Sequence, residues 1–181
     1  YFRDAENTKS TIDSDGWLHT GDVGMIDPFN KGLKIVDRVK EIFKLSQGEY
    51  IAPAKLEGMY IKSPFVAQIC IYGNSEKSYI IAIVVVNKGN VAHTLQELGI
   101  IQNDKDDITS HLENEKLVAA VKASFDDIAK QCKFSSLEKP LKFILTTDEF
   151  TIQNDLLTPT MKLVRKKIQT HFQKQIDQIY T

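Results

Sequence analysis

The chain has 181 residues, 42% of them hydrophobic and 26% charged, so it is long enough to bury a real core as one domain or one domain with an appendage. Its formal net charge of −1 supplies no global field to draw it to nucleic acid or an anionic membrane surface. Apolar runs such as Tyr79 to Val86 fall far short of the length needed to span a bilayer, so no membrane segment is expected.

Tyr1 to Ser14 is polar and lacks a clear period, and it cannot make a core alone. There is no signal-peptide pattern, and the abrupt start leads us to expect a piece of a longer protein. Trp17 and Leu18, then Val23, Met25 and Ile26, predict short strands separated by the turn Thr20-Gly21-Asp22, with Trp17 read as core. Asp27-Pro28-Phe29-Asn30-Lys31-Gly32 has the residues of a hairpin turn, and Leu33 to Val36 is the returning strand.

Beyond this point strand and helix signals alternate. Ile42 to Leu45 is strand-like, and Pro53 can open a short helix that runs to Ile61. Val66 to Tyr72 and Tyr79 to Val86 are rich in β-branched residues. The turn-rich Gly73 to Ser78 between them predicts an antiparallel pair. A helix is expected from Asn90 to Leu98, ended by Gly99. Asn114 can cap a longer one whose apolar face is Leu117, Val121, Phe125, Ile128 and Cys132. Leu141 to Leu145 is another strand. A last helix from near Lys162 carries Val164, Ile168, Phe172, Ile176 and Tyr180 along one face. Cys70 and Cys132 lie in apolar runs without metal-ligand spacing and read as small buried hydrophobes. This order of elements predicts an α+β fold, a mixed or antiparallel sheet flanked by helices.

One stretch organises the chain: Asp37-Arg38-Val39-Lys40-Glu41-Ile42-Phe43-Lys44-Leu45-Ser46-Gln47-Gly48-Glu49-Tyr50-Ile51-Ala52-Pro53. Taken by itself it is a charged turn, a short apolar run, a polar loop with a glycine, and a helix start at the proline. Lys40, Lys44 and Gly48 can together face an anion, yet a solvated strand-loop-helix corner is the plainer reading. The stretch resembles the hinge and following loop of the AMP-forming acyl-activating enzymes, which include acyl-CoA synthetases, beetle luciferases and peptide-synthetase adenylation domains. Two further stretches agree in family order. Asp15-Gly16-Trp17-Leu18-His19-Thr20-Gly21-Asp22 is similar to the ribose-binding motif, and Leu157-Thr158-Pro159-Thr160-Met161-Lys162-Leu163-Val164-Arg165 resembles the C-terminal lysine motif. The wording of the three looks like the long-chain fatty acid branch.

The resemblance implies a division of the chain and a set of roles. Residues 1–36 would close a large N-terminal adenylating domain and 37–181 would form a small mobile C-terminal domain, with the hinge at about 37–40. The N-terminal domain of the same enzyme would then be the partner. Small-molecule substrates would be a long-chain fatty acid, ATP and CoA, joined by way of an acyl adenylate. Mg2+ would accompany ATP, held mainly by that missing domain. Asp22 would accept hydrogen bonds from the ATP ribose, since a carboxylate can serve both hydroxyls of a diol. Against this stands an Asp that only bonds its own turn. Arg38 would add a ribose or phosphate contact; otherwise it forms a surface ion pair with Asp37 or Glu41. Asp37 and Lys40 would be hinge residues.

Lys162 is the implied adenylation residue. Attack of a carboxylate on the ATP α-phosphate brings two anions together, and an ammonium bridging both stabilises the transition state more than the ground state. The plainer alternative for Lys162, Arg165, Lys166 and Lys167 is a basic helix start, although cations there oppose the helix dipole. Lys44 and Gly48 would serve the second step after domain rotation, with Lys44 near the adenylate and Gly48 letting the pantetheine thiol pass close to backbone. The loop Leu45 to Gly48 is one residue longer than in luciferase-like members. His19 reads as a ligand contact, a turn-stabilising group or an interface residue, and His93, His111 and His171 receive no role. No nucleophile elbow, His-based metal cluster or P-loop is visible. The fragment alone is expected to be folded and catalytically silent. Alternatives are activation of another carboxylic acid, a non-catalytic nucleotide-binding module of the same fold, or a polyanion-binding domain.

Overall fold

Ile81–Val86 is apolar at every position, and the computed structural model, which describes residues 2–103 and 106–181, shows why. It is the centre of a three-stranded sheet covered on both faces. We number the strands β1 (Asp22–Ile26), β2 (Leu33–Arg38), β3 (Phe43–Lys44), β4 (Tyr50–Ile51), β5 (Val66–Tyr72), β6 (Ile81–Val86) and β7 (Lys142–Thr146). The helices are α1 (Ala5–Thr11), α2 (Pro53–Tyr60), α3 (Lys88–Glu97), α4 (Glu115–Gln131), α5 (Arg165–His171) and α6 (Gln173–Ile179). The chain divides into two compact units, Tyr1–Ile42 and Phe43–Thr181.

In the larger unit the sheet order is β5-β6-β7, with β6 antiparallel to β5 and parallel to β7. Alternation along β6 sends Ala82, Val84 and Val86 into one hydrophobic cluster and Ile81, Ile83 and Val85 into another. The first cluster is completed by Leu56 and Tyr60 of α2, Val91 and Leu95 of α3, and Leu117, Val121, Phe125 and Ala129 of α4. The second is completed by Phe150, Ile168 of α5 and Ile176 of α6, with Phe172 between those two helices. The result is an α+β layer structure, as the order of elements predicts.

Most elements begin where a cap or proline allows. Pro53 opens α2, Asn87 caps α3 through Asn90 N–H, and Asn114 caps α4 through Lys116 N–H. Gly99 takes the left-handed conformation after α3 (φ +68°). Three expectations change. The terminal helix is two helices, because Phe172 leaves helical geometry (φ −100°, ψ 13°), and it starts at Arg165, which puts Lys162 outside it. On α4 Leu117, Val121 and Phe125 are buried as expected, but the fourth buried position is Ala129, while Ile128 and Cys132 are only half-buried. Neither Cys70 nor Cys132 forms a disulfide.

The smaller unit is a hairpin and a helix. β1 pairs antiparallel with β2, with a bulge at Val23/Gly24 opposite Ile35 and Asp37. α1, unforeseen in the polar opening stretch, is capped by Asp4 through Asn7 N–H and has no buried residue; Tyr1 lies outside the described residues. Trp17 is 73% exposed, so its assignment to a core is corrected: the segment Trp17-Leu18 makes only a single bridge, Ile12 to Leu18. The reason is that this unit, among its described residues, buries only Asp37.

One glycine sets how close the β3–β4 hairpin sits to the sheet. A Cβ on Gly73 would lie 2.7 Å from Phe43 Cε2 and 3.2 Å from both Leu45 Cδ2 and Ile80 Cγ2. Gly73→Ala is therefore expected to push the hairpin outward and to cost about 1–3 kcal/mol, measured by denaturant unfolding. A loss under about 0.5 kcal/mol would show that the hairpin adjusts freely.

Candidate functional site

The site residues expected from the sequence fall into three groups, each built by a different local device. The first lies in the smaller unit. Asp13 accepts backbone N–H bonds from Trp17 (2.9 Å) and Asp15 (3.0 Å), and its other oxygen meets His19 Nε2 at 2.9 Å. The Trp17 N–H and then His19 hold the Asp13 carboxyl below the usual carboxylate range. His19 N–H donates to Thr11 O at 2.7 Å. His19 thus braces this turn, the second of the readings left open for it, and it also lines the cleft described next.

That folded loop delivers Thr20, Gly21 (φ +78°) and Asp22 onto the end of β1. Asp22 pairs with Arg38 across the strand register, its Oδ1 3.6 Å from Arg38 Nε. At that distance the contact is an ion pair without a hydrogen bond, and both side chains are solvent-accessible, so it contributes little to stability. Asp22, Arg38, Val39 and Lys40 line one cleft of about 1070 Å3, together with His19, Thr20 and Gly21. Asp37, 7% exposed, instead turns inward and accepts Arg38 N–H at 2.7 Å. It sits within β2, so the segment expected to be a hinge comprises the last paired residues of β2 and the start of the turn Val39–Glu41 that follows, in which Val39 and Lys40 are exposed. That turn is closed by Glu41 N–H and Ile42 N–H on Arg38 O.

The second group is the β3–β4 hairpin. Leu45 N–H donates to Glu49 O (2.8 Å) and Gly48 N–H to Leu45 O (2.9 Å), and Gly48 takes φ +95°, a conformation that L side chains rarely adopt. Ser46 N–H bonds Lys77 O and Gln47 Nε2 bonds Ser78 O, which ties the loop to the β5–β6 turn. Buried Leu45 pins its base. Lys44 points along this loop, its Cε 3.7 Å from where a Gly48 Cβ would stand and its ammonium 5.6 Å from the Tyr50 ring centre. The structure therefore brings Lys44 and Gly48 together.

The third group is the Lys162 turn. Leu157 and Leu163 form an antiparallel bridge. Within it Thr158 N–H donates to Lys162 O (2.8 Å), Lys162 N–H to Thr158 Oγ1 (3.1 Å), and Met161, at φ +61°, donates its N–H to Thr158 O (2.9 Å). Buried Leu156 and Leu157 hold the turn to the sheet. Lys162 is exposed, and among the described residues no ion pair to its ammonium is observed. Two of the three neighbouring cations are occupied: Lys167 meets Asp155 at 3.2 Å, and Arg165 grips Glu57 of α2 with two hydrogen bonds of 2.6 and 2.7 Å, while Lys166 is exposed. The basic run is thus not one solvated patch: Lys166 is exposed on α5, and Lys162 projects from the constrained turn before that helix. Sequence reasoning missed Glu57; its only local signal was a carboxylate on the otherwise apolar inner face of α2.

Among the described residues no three His, Cys, Asp or Glu side chains converge as a metal site, and no helix is long and apolar enough to cross a membrane.

Residues 55–133 match the family model for the AMP-binding enzyme C-terminal domain. The chain thus carries that domain over this segment. Along its whole length it is similar to long-chain-fatty-acid–CoA ligase 6 of Homo sapiens (41% identical, all of this chain, 25% of that protein) and to fatty acyl-CoA synthetase B of Dictyostelium discoideum (42%, all of this chain, 26% of that protein). Among solved structures it is similar to the adenylation domain of a carboxylate reductase from Mycobacterium chelonae, with a TM-score of 0.83 and 34% identity over 99% of this chain and 25% of that one. The adenylation–carrier didomain of a carboxylic acid reductase from Segniliparus rugosus, solved with AMP, gives 0.82 and 34% over 100% of this chain and 23% of that one. The chain spans about a quarter of the length of the relatives it matches.

Proposed function

We propose that this chain is the C-terminal part of an AMP-forming long-chain fatty acid–CoA ligase. The observation that carries the proposal is Lys162. It is an ammonium without an ionic partner among the described residues, held on a self-bonded turn, in a chain 41% identical throughout to a long-chain-fatty-acid–CoA ligase. In this reading residues 1–36 belong to the N-terminal adenylating domain, 37–181 are the mobile domain, and the hinge at about 37–40, with Asp37 near the end of β2 and Lys40 in the turn that follows, absorbs the rotation between them. The N-terminal domain of the same protein is the partner.

Two steps follow. In the first, the fatty acid carboxylate attacks the ATP α-phosphate, pyrophosphate leaves, and Lys162 neutralises charge on the carboxylate and phosphoryl oxygens as they close on one another. Asp22 and Arg38 hold the ribose and phosphate side of the nucleotide from their shared cleft. In the second, the CoA thiol attacks the acyl adenylate and AMP leaves, while the Gly48 turn lets pantetheine run close to backbone and Lys44 faces the adenylate. Magnesium travels with ATP and is assigned no ligand on this chain.

The direct test supplies the full-length protein with ATP, CoA and palmitate and follows acyl-CoA, AMP and pyrophosphate. Product that requires all three substrates supports the proposal; nucleotide binding with no turnover on any acid would replace it with a non-catalytic nucleotide-binding module. Likeness to carboxylate reductase adenylation domains favours one second reading, activation of another carboxylic acid, and a panel of aryl, medium-chain and long-chain acids separates the two. Lys44→Ala is expected to slow CoA transfer from supplied acyl adenylate by roughly tenfold or more, the scale of one lost charge-assisted hydrogen bond, and to spare acid-dependent ATP–pyrophosphate exchange. The reverse bias would put Lys44 in the first step.

A further inference from the structure

The Lys162 turn ends at a buried ion pair whose placement helix stability does not explain. Arg165 is the first residue of α5, where a cation opposes the helix dipole and where no side chain caps the helix. Its guanidinium nevertheless meets Glu57 in a two-pronged contact, Nη1 to Oε1 at 2.6 Å and Nη2 to Oε2 at 2.7 Å, with the two side chains only 21% and 11% exposed. Glu57 Oε1 also accepts Ile71 N–H of β5 at 2.8 Å. A planar fork on a carboxylate fixes orientation as well as distance. The carboxylate is itself referenced to the sheet, so Arg165 is located against β5 and α2 together.

Lys162 stands three residues before this anchor, a span of at most about 10 Å of backbone. Its other side is closed by the reciprocal bonds to Thr158, and between the two anchors Val164 N–H donates to Leu156 O at 2.9 Å. The turn therefore has a fixed entry, Thr158 on buried Leu157, and a fixed exit, Arg165 on Glu57. We propose that Glu57 and Arg165 are positioning residues for Lys162, setting where its ammonium projects from the domain; this rests on the adenylation role of Lys162 given above. Neither touches substrate. A bridging cation misplaced by about 1 Å loses much of its effect on the transition state while substrate affinity hardly changes.

The test is a double-mutant cycle in the full-length ligase with Glu57→Gln, Lys162→Ala and the pair, read in the two half-reactions separately. Expected for Glu57→Gln is a fall of at least tenfold in kcat for acid-dependent ATP–pyrophosphate exchange. KM for ATP and CoA transfer from supplied acyl adenylate should both stay within twofold. In the double variant exchange should be no lower than in Lys162→Ala alone, because the pair acts only through that lysine. Losses that multiply, or equal loss of both half-reactions, would reduce Glu57 and Arg165 to a packing contact. Should Glu57→Gln fail to fold, Arg165→Lys, which keeps the charge and loses the fork, carries the same comparison. If Lys162→Ala leaves exchange intact, the adenylation reading falls and the positioning role with it. If Lys162→Ala abolishes exchange and Glu57→Gln and Arg165→Lys do not impair it, only the positioning role falls.

Discussion

On the proposed function, Lys162→Ala in the full-length protein is expected to lower kcat for acid-dependent ATP–pyrophosphate exchange by about 10²–10³-fold, equivalent to roughly 3–4 kcal/mol of transition-state stabilisation. Removing one preorganised electrostatic partner of a developing anion has that scale. Lys162 projects from its turn, and under the proposed function its partner is supplied when the carboxylate and α-phosphate converge. KM for ATP and for the acid should therefore change little, the signature of an interaction made in the transition state. Stability should not change either, because Lys162 is exposed and its turn is held by backbone and Thr158 bonds that an alanine preserves. Lys162→Arg should recover only part of the activity, since a planar fork does not replace a point charge. An exchange rate within threefold of the parent would remove Lys162 from the chemistry.

What could be read beforehand divides along physical lines. β5 and β6 were legible because uninterrupted β-branched runs bounded by turn residues leave little else to form, α4 because the Asn114 cap precedes its apolar face, and α3 by its stop at Gly99, though its start at Lys88 after the Asn87 cap lies two residues before the Asn90 expected. The break at Phe172 was invisible: Ile168, Phe172 and Ile176 keep a four-residue spacing across it, and all three remain buried, so periodicity reports one helix. α1 has no buried face, so periodicity could not find it, and only the Asp4 cap marked it. Trp17 misled because composition assigns a tryptophan to a core, and its own unit buries nothing apolar among the described residues. Of the candidate site, motif order identified Lys162, Lys44 and Asp22 as residues to watch. It did not show that Asp22 and Arg38 share a cleft, nor the brace behind Lys162. Glu57 and Arg165 are 108 positions apart, and no local pattern relates them.

The largest loss of stability is expected at Phe125. It is 2% exposed on α4, stacks on Tyr60 of α2 with ring centres 4.5 Å apart and planes 13° from parallel, and meets Phe143 of β7 edge-on at 5.0 Å. Tyr60 is in turn edged by Phe134 at 5.6 Å and donates its hydroxyl to Glu138 O at 3.0 Å. One ring thus joins α4, α2 and β7, and the surrounding elements are each held by other contacts that limit collapse into the space it leaves. Phe125→Ala should cost about 3–5 kcal/mol, a fall of roughly 10 °C in Tm, by the sum of lost transfer energy and residual cavity. Tyr60→Phe serves as the graded control: it keeps the stack and removes one hydroxyl bond, so about 0.5–1.5 kcal/mol is expected. Denaturant unfolding of the 181-residue chain measures both. A loss below about 1 kcal/mol for Phe125→Ala would mean that the first hydrophobic cluster repacks around the gap. In that event the aromatic stack would not be what fixes α2, the helix that carries Glu57, against α4.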